Sequence, residues 1–75
     1  MSSLPVVSGR EAGRAFAKLG FVYDHHRGSH MIYYHADGRH LSIPDHRELD
    51  RGLLRKLIRH AGITVEAFAR LLQDP

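Results

Sequence analysis

The sequence predicts an α+β domain: a helix, three strands forming an antiparallel sheet, a second helix and a short C-terminal helix, with the helices on one face of the sheet. Three observations carry that reading. Apolar residues recur at three- and four-residue spacing towards both ends of the chain, the middle is rich in β-branched and aromatic residues, and an Asp-Gly pair divides that middle stretch. Consecutive strands joined by short loops run antiparallel, and flanking helices bury their apolar stripes against one side of such a sheet. The other side is left available for chemistry or for a partner.

The elements follow in order. Ser8-Gly9-Arg10-Glu11 has the spacing of a capping box, in which the serine oxygen and the glutamate three residues on satisfy free amides at a helix start. Ala12, Ala15, Phe16 and Leu19 continue at helical spacing and Gly20 can take the left-handed conformation that stops a helix, so the first helix covers about residues 9 to 19. Phe21-Val22-Tyr23 reads as a strand that runs out into Asp24-His25-His26 and a loop at Arg27-Gly28. A second strand begins near His30, runs to Tyr34 or His35 and meets Asp37-Gly38, a hairpin turn whose glycine accepts positive φ. Tyr33 and Tyr34 must point to opposite faces of that strand, and alternation alone does not say which enters the core. The third strand, Arg39-His40-Leu41-Ser42-Ile43, buries Leu41 and Ile43, and Pro44 closes it because it has no N–H to donate. Leu49, Leu53, Leu54, Leu57, Ile58 and Ala61 form the stripe of the second helix, with Asp50 as N-cap and Gly62 as stop. Thr64 caps the last short helix. Ile63 and Phe68 bracket that cap as a hydrophobic staple, and Leu71 and Leu72 extend the apolar side.

Seventy-five residues make one small domain, here residues 1–75, with residues 1–7 as an N-terminal arm before a body over 8–72. A chain of this size buries only about 60% of its unfolded surface, which excludes a large internal active-site cavity. It has no cysteine, so neither a disulfide framework nor a thiolate zinc site is available. No apolar run approaches the roughly 18 residues that span a bilayer, and Met1-Ser2-Ser3-Leu4-Pro5-Val6-Val7 is too short for a signal peptide, so a cytoplasmic location is expected. The formal charge is +3, from 11 cations that are mostly arginine, and the seven histidines add positive charge as pH falls toward histidine's ordinary value of about 6.5. Arginine's planar fork suits phosphate, so nucleic acid is a plausible partner on charge, though charge alone does not select it.

The candidate site is Arg27-Gly28-Ser29-His30, a tight basic loop that delivers one histidine to the start of Met31-Ile32-Tyr33-Tyr34. An imidazole there can move protons near neutral pH. Arg27 is the candidate for holding a phosphate, Gly28 permits close backbone approach, and Ser29 can add a hydrogen bond. RNA carries its own nucleophile, the ribose 2′-hydroxyl, so one positioned histidine makes a ribonuclease chemically reasonable.

These segments, taken in order, resemble the HicA-type toxins. The residues that carry the resemblance are Val7-Ser8-Gly9-Arg10-Glu11, Leu19-Gly20-Phe21, Arg27-Gly28-Ser29-His30, Asp37-Gly38, Ile43-Pro44 and Gly52-Leu53-Leu54-Arg55-Lys56 running into Ala61-Gly62-Ile63. The resemblance implies a fold like that of double-stranded-RNA-binding domains and a ribosome-independent, metal-independent ribonuclease that cuts messenger RNA. It further implies that His30 is the catalytic residue. No cofactor is expected. The implied partner is a HicB-like antitoxin that covers the histidine, in a hetero-oligomer with the toxin. The chain departs from the family pattern at Met31, where a second histidine is often found, and at Asp50, where a basic residue is frequent; Arg47 and Arg51 are candidate substitutes for that cation.

Two other readings stand beside this one. A non-catalytic RNA-binding module fits the implied fold, the basic charge and the aromatics. A metal-dependent hydrolase is disfavoured, since no helical His-x-x-x-His pair or Cys/His pattern appears and the neighbouring His25 and His26 point oppositely on a strand. His25, His26, His35, His40, His46 and His60 read as surface or structural histidines. His35 and His40 flank the Asp-Gly turn, an arrangement that would let them face each other across the hairpin.

Overall fold

Helix α1 (Gly9–Ala17), strands β1 (Val22–Arg27), β2 (His30–Tyr34) and β3 (His40–Pro44), and helices α2 (Arg51–Ala61) and α3 (Val65–Gln73) follow one another in a computed structural model that describes residues 3–74. The strands form a single antiparallel sheet in the order β1-β2-β3, so the predicted α+β architecture holds.

Local chemistry sets the helix ends. The Ser8 hydroxyl accepts from the Glu11 amide at 3.0 Å while the Glu11 carboxylate accepts from the Ser8 amide at 2.9 Å, completing the capping box. Asp50 accepts from the Leu53 amide and Thr64 from the Ala67 amide, both at 3.0 Å. Leu49 stands just outside its helix, one residue before the Asp50 cap, and is buried in the core. Helix α1 ends at Ala17, two residues earlier than expected, because Lys18 to Gly20 already form the turn into the sheet. The last helix, expected to be short, has nine residues, as many as α1.

Strand β1 is longer than the sequence suggests. It continues through Asp24, His25 and His26 to Arg27, because Gly28 and Ser29 close a two-residue turn and keep the ladder paired to its end. Gly28 has φ 61° and Ser29 has negative φ, the pattern of a type II′ turn, whose twist matches the strands. A bulge between Tyr23 and His25 leaves Asp24 as the extra residue. At the second hairpin the His35 amide donates to the Arg39 carbonyl at 2.9 Å around a three-residue loop that ends in Gly38 at φ 98°.

The register sorts the strand side chains into two faces. Tyr23, His26, Met31, Tyr33, Leu41 and Ile43 share the face towards the helices, where Met31, Tyr33, Leu41 and Ile43 join the core. Phe16, Phe21 and Phe68 are fully buried there, with the Phe16 ring 6.3 Å from Phe21 and 5.1 Å from Phe68. Tyr33 is thus the core tyrosine, whereas Tyr34 is exposed. Leu4 and Val7 are buried in the same core, and the segment around Val7 is tied to the loop after β3 by Leu49 N–H to Val7 and Gly9 N–H to His46. Helix α1 lies so close to the sheet that a Cβ at Gly9 would clash with the Pro44 carbonyl, and one at Gly13 with the Tyr33 hydroxyl.

Candidate active site

The face away from the helices is a grid of three rows, each crossing β1, β2 and β3. One row holds Arg27, His30 and Pro44; the middle row holds His25, Ile32 and Ser42; the last holds Val22, Tyr34 and His40. Ile32 at the centre is buried, while most of its neighbours on this face are exposed. His30 therefore stands at one end of the open face, on the central strand, immediately after the Gly28-Ser29 turn.

Its position is fixed from two directions. The imidazole Nδ1 lies 2.9 Å from the Ser42 hydroxyl, a bond that links β2 diagonally to β3 and sets the ring's orientation. The loop beneath it is held by the Asp45 amide, which donates to the Ser29 carbonyl at 2.8 Å. Among the described residues Nε2 of His30 has no hydrogen-bond partner, and neither has the Arg27 guanidinium or the Ser29 hydroxyl. One imidazole nitrogen is thus oriented and the other is free to meet a ligand from solvent. The four residues singled out in the sequence, Arg27, Gly28, Ser29 and His30, come together as a single hairpin tip, and a Cβ at Gly28 would meet nothing, so the approach is open.

Ser42 was missed by the reading of the sequence. A signal was present: burial of Leu41 and Ile43 places Ser42 on the opposite face, and the turn at Asp37-Gly38 brings that strand beside His30. A second set of groups was missed on the helix side. Tyr23 donates its hydroxyl to Nδ1 of His26 at 2.7 Å, and Nε2 of His26 donates to Asp45 at 3.2 Å. Arg10 reaches the same carboxylate in a two-pronged pair at 3.0 and 3.2 Å. The hydrogen bond from Arg10, and then that from His26, lower the Asp45 carboxyl from an ordinary 3.8 to about 2. The same pair raises the Arg10 guanidinium above its ordinary value. Asp45 therefore anchors α1, β1 and the turn that carries His30. Burial pushes the Tyr33 hydroxyl up, in keeping with its place in the core.

The two histidines beside the second turn do not face each other, which corrects the expectation. His35 lies on the helix side, where Nε2 donates to the Leu19 carbonyl at 3.0 Å, Nδ1 accepts from the Asp37 amide at 3.1 Å, and the ring meets Phe21 edge-on. His40 lies on the open side, its ring 5.9 Å from that of Tyr34. The cause is parity: His35 follows Tyr33 by two residues, whereas His40 pairs with Tyr34. Among the described residues no three His, Asp or Glu side chains gather in a metal-holding group.

The family model described as the HicA toxin of bacterial toxin-antitoxin systems matches residues 9–63, from the first residue of α1 to just past α2. The chain belongs to the HicA toxin family. Its role is accordingly that of the toxin in a toxin-antitoxin system, which implies an antitoxin as partner. No curated protein matches this HicA chain. Among the described residues no helix is long and apolar enough to cross a membrane.

Proposed function

We propose that this HicA chain is a ribonuclease that cleaves messenger RNA in the cytoplasm through His30, without a metal or cofactor, and that a HicB-like antitoxin inhibits it by covering the open sheet face. The observation that carries the reading is the His30 imidazole itself, held through Nδ1 by Ser42 at 2.9 Å with Nε2 turned to no partner among the described residues. General acid–base catalysis needs that combination: one nitrogen to fix the ring and one to exchange a proton. His30 takes the proton from a ribose 2′-hydroxyl, whose oxygen then attacks the adjacent phosphorus as the 5′-oxygen leaves, or it returns a proton to that leaving oxygen. The Arg27 guanidinium and the Ser29 hydroxyl, without partners among the described residues, supply charge and a hydrogen bond to the phosphate, and Gly28 leaves the backbone open to it.

The purified chain should cut a single-stranded messenger in the presence of chelator, leaving 2′,3′-cyclic phosphate and 5′-hydroxyl ends, and His30→Ala should lose that activity while keeping its melting temperature. Retention of RNA with no new ends would turn the reading to a binding module. Addition of the antitoxin should stop cleavage by the native chain. Loss of all activity on chelation would assign the chemistry to a metal instead.

A further inference from the structure

The open sheet face extends well beyond His30, and the far row is built differently from the near one. Val22 and Tyr34, 65% and 47% exposed, are among the few large apolar side chains left in solvent, and they are paired directly across the ladder. His40 completes their row, with its ring tilted 39° to that of Tyr34 and 5.9 Å away. Between this row and His30 lie His25, Ile32 and Ser42. The nine residues of the face include three histidines and one arginine, and no aspartate or glutamate. Two carboxylates beside it are engaged: Asp24, in the bulge between the far and middle rows, binds His25, and Asp37 in the second turn binds Arg39 at 2.8 Å.

We infer that Tyr34, with His40 beside it, is a stacking platform for a base of single-stranded RNA whose scissile phosphate lies at His30. The inference rests on the ribonuclease reading and adds to it a second contact on the same strand of RNA. Tyr34 lies four residue steps beyond His30 along β2, a rise of about 13 Å at ~3.3 Å per residue, which a short single-stranded segment covers. Aromatic rings on a sheet face offer every base a π surface, while nearby cations follow the backbone. A face with three histidines and one arginine, whose bulge carboxylate, Asp24, is itself bound to His25, suits a polyanion, and its exposed ring stands in line with the candidate catalytic group. Duplex RNA hides the faces of its bases, so the platform selects unpaired substrate.

The test uses the full chain with His30→Ala, which permits binding to be measured without cleavage, and a fluorescent single-stranded RNA of mixed sequence. Tyr34→Ala in that background should raise Kd roughly five- to a hundredfold, the range that loss of one base–aromatic stack produces, and Tyr34→Phe should bind as the parent does. Both changes lie on an exposed side chain, so the melting temperature should hold. With His30 intact, Tyr34→Ala should raise KM far more than it lowers kcat. An unchanged Kd in Tyr34→Ala overturns the platform, as does a variant that keeps RNA affinity and loses only antitoxin binding, since the row would then be a protein-docking surface. Cleavage surviving in His30→Ala would sink the catalytic assignment and leave the platform to be judged by Kd alone.

Discussion

His26 and His30 sit one pairing step apart across the first hairpin, yet they face opposite sides of the sheet and differ in everything that matters to chemistry. On the helix side, His26 has both nitrogens engaged, by Tyr23 and Asp45, and His35 has both engaged, by Leu19 and Asp37. Such a ring must break a hydrogen bond before it can serve a ligand. On the open side His30 and His25 each have one nitrogen held, by Ser42 and by Asp24, and one free among the described residues, while His40 has ring contact with Tyr34 and no hydrogen bond there. Strand parity therefore separates the structural imidazoles from the usable ones, and among the latter His30 is the one paired with Arg27 beside the Gly28-Ser29 turn. Composition could not have made that separation, because seven histidines look alike in a count.

The sharpest way to break the comparison is to truncate both imidazoles and measure rate and stability together. His30→Ala should lower single-turnover cleavage of a labelled RNA by about 10²- to 10⁴-fold, the usual worth of a positioned proton-transfer group, with no loss in Tm. His26→Ala should do the reverse, lowering Tm and leaving the rate within roughly tenfold, since it removes a link between β1 and Asp45. If His26→Ala silenced the protein at an unchanged Tm, the division between the faces would fail.

The next effect belongs to the helix side alone. Gly9→Ala would drive a methyl group into the Pro44 carbonyl, a backbone atom with little freedom to yield, so α1 must move off the end of β3. Overpacking of this kind costs about 1–3 kcal/mol, which in a domain of this size lowers Tm by about 4–8 °C for each kcal/mol. Denaturant titration should show the loss. Gly28→Ala is the matching probe on the other side: its Cβ meets no atom, and strain enters only through the positive φ of 61°.

Much of this arrangement was legible in the sequence because it is local. The Ser8–Glu11 box, the Asp50 and Thr64 caps and the Gly38 and Gly62 turns each need only a few neighbouring residues, and each formed where expected. The bounds of β1 were less legible, since Asp24-His25-His26 contains none of the β-branched or apolar residues that mark a strand and is held against β2 by the Gly28-Ser29 turn. His30 could be singled out by its loop, but a lone serine inside a strand carries no mark, so Ser42 emerges only once the register is known. The link from Arg10 to Asp45 spans 35 residues and depends on α1 crossing the end of β3, which no local pattern encodes.

Ser42 offers a smaller test on the open face. Ser42→Ala removes the bond that orients His30 and nothing from the core. A hydrogen bond of this kind is worth about 1 kcal/mol, so kcat should fall roughly fivefold with Tm unchanged. Ser42→Thr should restore most of the rate if the hydroxyl is the active feature. An unchanged kcat in Ser42→Ala would mean that the ring is oriented by the substrate instead.

The smallest effect concerns Asp45, whose ion pair is partly solvated: the Arg10 side chain is 70% exposed and that of Asp45 23%. Solvent and salt screen such a pair, so its contribution to stability is modest and should shrink as ionic strength rises. Its sign follows from the carboxyl's displacement. Because the folded chain holds Asp45 at about 2 against an ordinary 3.8, the unfolded chain takes up the proton first as pH drops. The stabilisation is therefore complete above about pH 4 and disappears as pH falls through about 2. Asp45→Asn should have a lower Tm than the native chain at about pH 5, with the gap closing by about pH 2. The Arg10→Ala variant, which lacks the principal cause of the displacement, should show a smaller gap on the same substitution. A gap that persisted at about pH 2 would mean that packing, not charge, makes Asp45 an anchor. The amide of residue 45 survives in Asp45→Asn, so its hold on the Ser29 carbonyl, and with it the cleavage rate at neutral pH, should change less than in Ser42→Ala.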